Sequence, residues 1–431
     1  MKLFFYCFII LLTLDLHAKE IDNVDELIEY ALKNAPDLQI TAKQYEAASQ
    51  RKEQVFGYFL PKVDLRLSGG EMGSSNIPAN PDDMKQTNFL LGNLSLQQLL
   101  YDFGKTGATY DNFKYQEESF GMHNLQTISD KIRDVKHAYY FVLRSIALID
   151  VAKENLKLNE AQLYRAKRYY AAGIKTKIDI SDATVNVIQA KIDMKRVNYK
   201  LKSAYENLKK VIGVKDIQTE FVVVPQKLNL DNIYDTLTEY KYDFPQSVTY
   251  AYEHRYAIKE SSALLKVSQE NVNVAKSQYY PSLYLNANYT KQQENDDLKS
   301  VIPENKWQAA VNLQWNLYNG GSSSANIQKN IIQQNISQAK LEFLKLQIKK
   351  DVADAYNNLN ESKDTVELAQ ALLQAAMEKF VQAQKRYENG LSDYIELQQA
   401  RQSYIDAKSS LVVDYYSYYD ALARMYNVIG M

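Results

Sequence analysis

The chain is built twice. Residues 134–213 match residues 351–430 at a constant shift of 217, with 20 identities in 80 ungapped positions. Chance would give roughly 6% identity, so duplication is the better account. Asp134-Val135-x-x-Ala138-Tyr139 recurs as Asp351-Val352-x-x-Ala355-Tyr356, and Val211-Ile212-Gly213 as Val428-Ile429-Gly430. Upstream the shift becomes 220, with Tyr30-Ala31 on Tyr250-Ala251 and Pro61 on Pro281. The change of three falls beside Gly69-Gly70-Glu71-Met72-Gly73-Ser74-Ser75, loop chemistry of the kind that accepts insertions. Whatever one half folds into, the other must fold into as well.

Within each half the hydrophobic period switches from helix to strand and back. The first repeat, 19–213, reads as a helix over about 22–58, strands over about 62–68 and 88–100, and helices over about 105–170 and 177–212. A linker covers 214–246. The second repeat, 247–431, reads as a helix over about 247–278, strands over about 282–290 and 307–317, and helices over about 322–387 and 394–429. Pro61 and Pro281 end the first helices, since proline lacks the amide a helix interior needs.

The strands alternate strictly. Val63, Leu65 and Leu67 face away from Asp64, Arg66 and Ser68; Trp307, Ala309, Val311, Leu313, Trp315 and Leu317 face away from the polar positions between them. One apolar and one polar face mark a two-sided sheet. About ten residues is the length of a tilted transmembrane strand, and tryptophans at both ends of the last strand suit interfacial girdles. A soluble half-buried hairpin carries the same alternation; four such strands in an exported chain favour the membrane. The long helices carry a different period: Ile128, Ile132, Val135, Tyr139, Val142, Ile146 and Ile149 step by four and three, as do Ile348, Val352, Ala355 and Leu359. That repeat predicts left-handed supercoiled packing. A helix from 105 to 170 is a rod of roughly 100 Å.

Four short strands cannot close a membrane barrel, for which eight is about the minimum. An open sheet in lipid leaves backbone groups unpaired at several kcal/mol each. Sister chains must then share one barrel, two giving eight strands or three giving twelve.

The first 18 residues read as a cleaved export signal, with Lys2 before the apolar run Leu3–Leu12 and Ala18 at the cut. Cys7, the single cysteine, leaves with it. The charges, 51 basic against 52 acidic, give no field for nucleic acid. The four histidines show no metal spacing and no nucleophile or phosphate-binding motif appears, so no enzyme activity, cofactor or metal is expected.

The order of these pieces resembles the TolC family of outer-membrane efflux proteins. The resemblance rests on the duplication, on Phe59-Leu60-Pro61 and Tyr279-Tyr280-Pro281 entering the sheet, and on Tyr101-Asp102-Phe103-Gly104 and Tyr318-Asn319-Gly320-Gly321 leaving it. It rests also on Tyr170-x-x-Gly173-x5-Asp179-x-x-Asp182-Ala183 and Tyr387-x-x-Gly390-x5-Glu396-x-x-Gln399-Ala400. It implies a homotrimer with a 12-stranded β-barrel in the outer membrane and a 12-helix periplasmic α-barrel, with the linker in an equatorial belt. The implied partners are a periplasmic adaptor (membrane fusion) protein, an inner-membrane RND, ABC or MFS pump, and outer-membrane lipid. The competing function is a non-channel periplasmic coiled-coil adaptor or structural protein.

By the same resemblance Gly173 and Gly390 are the turns at a closed periplasmic tip. Asp179, Asp182, Tyr387 and Glu396 are the candidate constriction and gating residues, Tyr387 and Asp179 matching a contact pair. Gln399 stands where the family has a second acid, and Ser392 where it has an arginine. Pro61, Gly104, Pro281 and Gly320 mark the helix–strand junctions.

Overall fold

A computed structural model describes residues 19–21, 23–74, 85–215, 221–225, 228–294 and 305–431. The expected signal segment lies outside them. In chain order the elements are β1 (Lys19–Ile21), α1 (Val24–Asn34), α2 (Pro36–Phe56), β2 (Lys62–Ser74), β3 (Lys85–Tyr101), α3 (Lys105–Ala171) and α4 (Lys177–Ile212). Then follow β4 (Phe221–Val223), α5 (Phe244–His254), α6 (Tyr256–Lys276), β5 (Ser282–Glu294), β6 (Asn305–Gln314), α7 (Ser322–Glu388) and α8 (Tyr394–Ile429). Short 3-10 turns, Gly57–Phe59 and Ser277–Tyr279, lead into β2 and β5. No helix among the described residues is long and apolar enough to cross a membrane.

The chain forms two compact units. One comprises Ile40–Gln126 and Tyr256–Gln347. Its sheet runs β2-β3-β5-β6, every neighbour antiparallel. Register holds the alternation in phase across all four strands: Leu65 pairs Leu94, Leu94 pairs Tyr289 and Tyr289 pairs Trp307. Directly opposed residues share a face, so these four side chains form one apolar row. The next row, Arg66, Asn93, Thr290 and Lys306, faces the other way, and Asn93 Nδ2 donates to Thr290 Oγ1 at 2.9 Å. The apolar face is bare: Leu67 is 70% and Trp307 78% exposed. Among the described residues, both outer strands, β2 and β6, keep an unpaired edge.

The helices of this unit bury Val55, Ala263, Val272, Ile327 and Leu341. Polar ties set their register. Asn112 Nδ2 donates to Val267 O (3.0 Å) and Asn271 Oδ1 (2.9 Å), and Lys52 meets Glu117 at 2.8 Å.

The other unit comprises the described residues of 19–39, Thr127–Arg255 and Ile348–Met431. The seven-residue stripe is its core: Val135, Val142, Ile348, Val352 and Val366 are wholly buried, each worth roughly 1.5–3 kcal/mol of transfer free energy. β1 and β4 form a small parallel pair. The segment between the repeats is strapped to α8, Tyr418 Oη donating to Thr238 O at 2.5 Å and Tyr419 Oη to Thr236 O at 3.2 Å.

The structure departs from the sequence reading at several element bounds: β2 runs on to Ser74, through glycines read as loop, and β5 to Glu294, past the 68 and 290 expected. The single helix expected over 22–58 is broken at Ala35 (φ −66°, ψ 123°), because Pro36 pushes its predecessor out of helical space. The helix expected over 247–278 is broken at Arg255 (φ −63°, ψ 122°) without a proline. There the cause is packing: a Cβ on Gly430 would lie 3.0 Å from Arg255 Cα, just as one on Gly213 would lie 2.8 Å from Ala35 Cα. Each repeat thus seats the left-handed glycine that ends its last helix on the kink of its first. Finally, β6 stops at Gln314 rather than near Leu317.

Candidate functional site

The two hairpin turns are copies at the backbone level. α3 ends with Gly173 at φ 75°, and Ile174 N donates to Tyr169 O at 2.9 Å; α7 ends with Gly390 at φ 73°, and Leu391 N donates to Arg386 O at 2.8 Å. Glycine takes the left-handed position and the returning amide satisfies a helix carbonyl. Ile174, Ile178, Leu391 and Ile395 are all more than 60% exposed around these turns.

Both following helices open with a capping pair. Thr176 N and Oγ1 donate to Asp179 Oδ2 at 2.9 and 2.8 Å. Glu396 N donates to Asp393 Oδ1 at 2.8 Å. Asp179 and Glu396 therefore share the third position of a helix, where a carboxylate stabilises the exposed amide end. Burial pushes the Asp179 carboxyl up, but the Thr176 hydrogen bonds and the Lys175 charge outweigh it and hold it below the usual carboxylate range. Glu396 lies 3.6 Å from Arg386, and Asp182 is exposed.

Tyr387 joins the two turns. It is 4% exposed, whereas its repeat equivalent Tyr170 is 48% exposed. Its ring packs on Tyr394 with centroids 6.3 Å apart, and Lys175 Nζ sits 5.3 Å from its centroid. Burial raises the Tyr387 hydroxyl above its ordinary value, a hydrogen bond with Gln162 opposes the rise, and the Asp179 charge adds to it. Asn186 Nδ2 on α4 donates to Tyr394 Oη at 2.8 Å, and Gln398 Nε2 to Asn186 Oδ1 at 3.2 Å. Tyr387, Asp179 and Lys175 are thus brought together; Glu396 keeps to Arg386. The sequence reading passed over Asp393, Lys175 and Asn186. The Asp393-x-x-Glu396 spacing was itself a capping signal; the other two become visible only once α4 lies beside α8.

The junctions with the sheet also repeat. Pro61 and Pro281 follow the 3-10 turns, each of which has a carbonyl that accepts from a side chain near or just past the end of the second strand. Gln98 Nε2 donates to Phe59 O at 2.9 Å, and its repeat equivalent Trp315 donates Nε1 to Tyr279 O at 3.1 Å. Gln98 lies within β3, whereas Trp315 follows the last residue of β6. Asp102 caps α3 through Thr106 N at 2.8 Å, and Asn319 caps α7 through Ser323 N at 3.2 Å. Gly104, Gly320 and Gly321 have φ of 86°, 67° and 84°. Phe103, the equivalent of Gly320, adopts φ 52°, an uncommon state for a bulky residue. It stacks on Tyr280 of the other repeat, with centroids 5.1 Å apart.

The family model described as outer membrane efflux protein matches residues 27–214 and 249–431. The chain belongs to that family. Among curated relatives, the toluene efflux pump outer membrane protein TtgC of Pseudomonas putida is 22% identical over 414 residues, covering 94% of this chain and 82% of that protein. The outer membrane protein TolC of Vibrio cholerae is 21% identical over 412 residues, covering 95% and 91%. A solved structure of CusC superposes with a TM-score of 0.84 at 18% identity, covering 96% of this chain and 93% of that one. The fold is therefore the TolC-like one, and family membership favours a transport channel of the outer membrane over a coiled-coil adaptor.

Proposed function

We propose that this efflux-family chain is the exit duct of a tripartite efflux or type I secretion system, closed as a homotrimer in the outer membrane. The observation that carries the proposal is the four-stranded sheet with a bare apolar face and two open edges. An even strand count makes β6 of one copy antiparallel to β2 of the next, so a head-to-tail ring closes in uniform antiparallel pairing. Three copies give twelve strands, the number the family resemblance implies. The helices support the same reading. Val185, Ile188, Ile192 and Tyr199 on α4, and Ile332, Ile336, Phe343 and Leu346 on α7, are exposed at seven-residue spacing. A second such stripe asks for a second helical neighbour.

A periplasmic adaptor and an inner-membrane RND, ABC or MFS pump deliver cargo to the hairpin turns, and no chemistry is assigned to the duct. TtgC carries toluene in its name and CusC is named a cation efflux system protein. Asp182 and Glu396 form the anionic constriction, because carboxylates clustered in a narrow neck favour cations. Tyr387 and Asp179 hold the two hairpins closed there. Planar-bilayer recording of the purified mature protein tests this. Cation-selective conductance is expected, and Glu396→Gln with Asp182→Asn lowers the selectivity. Anion preference unchanged by the pair of substitutions would remove the assignment, and absence of any conductance would remove the duct.

A further inference from the structure

Tyr387 belongs to the second hairpin, yet much of what holds it comes from the first. A hydrogen bond joins its side chain to that of Gln162 on α3. Tyr169, near the end of α3, packs against the cluster of Ala383, Tyr387, Tyr394, Leu397 and Ala400. From the turn that follows, Lys175 brings its ammonium to 5.3 Å from the Tyr387 ring centroid. Lys175 is half-buried between the exposed Ile174 and Thr176. Its charge also acts on the Asp179 carboxylate, which accepts from Thr176 N and Oγ1.

The repeat shows that this contact does not come with the turn itself. At the shift of 217, Lys175 corresponds to Ser392 and Tyr170 to Tyr387. Ser392 carries no charge, and Tyr170 is 48% exposed. One crossed pair therefore has both the cation and the buried ring; the other has neither. Both turns have the same backbone form, so the difference lies in the side chains. An ammonium within about 6 Å of an aromatic centroid is attracted by the negative face of the ring.

We propose that Lys175 is a positioning residue of the duct: its ammonium on the Tyr387 ring fastens the first hairpin turn to the second and favours the closed state. The inference rests on the reading of these turns as the constriction of an exit duct. The contact joins the hairpins and breaks when they part, whereas the capping bonds of Asp179 and Asp393 stay within their own helix starts. A cation on a ring at an exposed site shifts an equilibrium by about two- to fivefold. Three copies that open together multiply this to on the order of tenfold or more. Ring and hydroxyl act separately. The Gln162 bond needs the hydroxyl, and the Lys175 contact needs only the ring face. Phenylalanine at 387 keeps the second, and leucine keeps neither.

The test is planar-bilayer recording of the full mature protein. Lys175→Gln raises the open probability on the order of tenfold. Lys175→Arg, which keeps a cation able to stack on the ring, does not raise it. Lys175→Gln added to Tyr387→Phe still raises it; added to Tyr387→Leu it changes nothing further. A loss of pore charge alone would act in the leucine background too, and would shift ion selectivity rather than open probability. If Tyr387→Leu does not fold, the contrast between Lys175→Gln and Lys175→Arg in the native background decides the matter. Three results would each overturn the proposal and leave the duct standing: conductance unmoved by Lys175→Gln, an equal rise with Lys175→Arg, or an equal rise in the leucine background. No conductance from any of these proteins would remove the duct reading and this inference with it.

Discussion

At the scale of residues, two glycines with the same backbone angle have different work. Gly213 (φ 80°) faces Ala35 Cα at 2.8 Å from its would-be Cβ, while Gly173 (φ 75°) meets nothing within 4 Å. Gly173→Ala therefore costs only the left-handed backbone penalty, about 1 kcal/mol. Gly213→Ala adds a backbone collision that only movement of the α1–α2 kink can relieve, for a total on the order of 2–4 kcal/mol. Thermal unfolding of the two variants side by side separates them; equal losses would refute the close approach. A second residue-scale case is His137, whose Nδ1 lies 2.6 Å from Asp420 Oδ1. The hydrogen bond and charge of Asp420 raise its pKa, opposed by burial and by Arg144, with Asp134 adding to the rise. A raised value in the fold means that protonation stabilises the fold. The contribution is complete below the ordinary value of 6.5 and is lost as pH rises through the folded value. Both side chains are about half exposed, so solvent screening keeps the effect small. Asp420→Asn should flatten the pH dependence of the unfolding midpoint above about 6.5; an unchanged slope would show that the pair does not couple to folding.

At the scale of elements, the sheet separates two kinds of substitution. Leu65→Arg puts a charge on the bare apolar face and costs about 2–4 kcal/mol near a bilayer midplane. Asn288→Arg, on the polar face, costs little. Outer-membrane yield and heat-resistant oligomer on gels should fall for the first and hold for the second; equal yields would argue that the apolar face does not meet lipid. The faces were legible in the sequence because strand alternation is local and has period two. So were the buried helix stripes, which a seven-residue period writes into any long helix. The break at Ala35 was signalled by Pro36 and overlooked. The break at Arg255 left no local trace, since it is imposed by Gly430 from the far end of the repeat. The hairpin turns divide the same way. Gly173 and Gly390 announce themselves as helix ends, but burial of Tyr387 rather than Tyr170 depends on which helix lies beside it. Arg401 reads in the sequence as a surface charge, and only packing places it inside.

At the scale of the whole molecule, the account comes down to what pairs with the free edges of β2 and β6. The expected mature chain has no cysteine, because Cys7 is the only one, so introduced thiols report without background. The decisive measurement is oxidative crosslinking in native outer membranes. It uses chains with one cysteine at Leu65 on β2 and one scanned through Ala309, Val311 and Leu313 on β6. At the correct register the account predicts dimeric and trimeric crosslinked bands, nothing larger, with all bands returning to monomer on reduction. Monomer alone at every scanned position, while the protein is folded in the membrane, would contradict it.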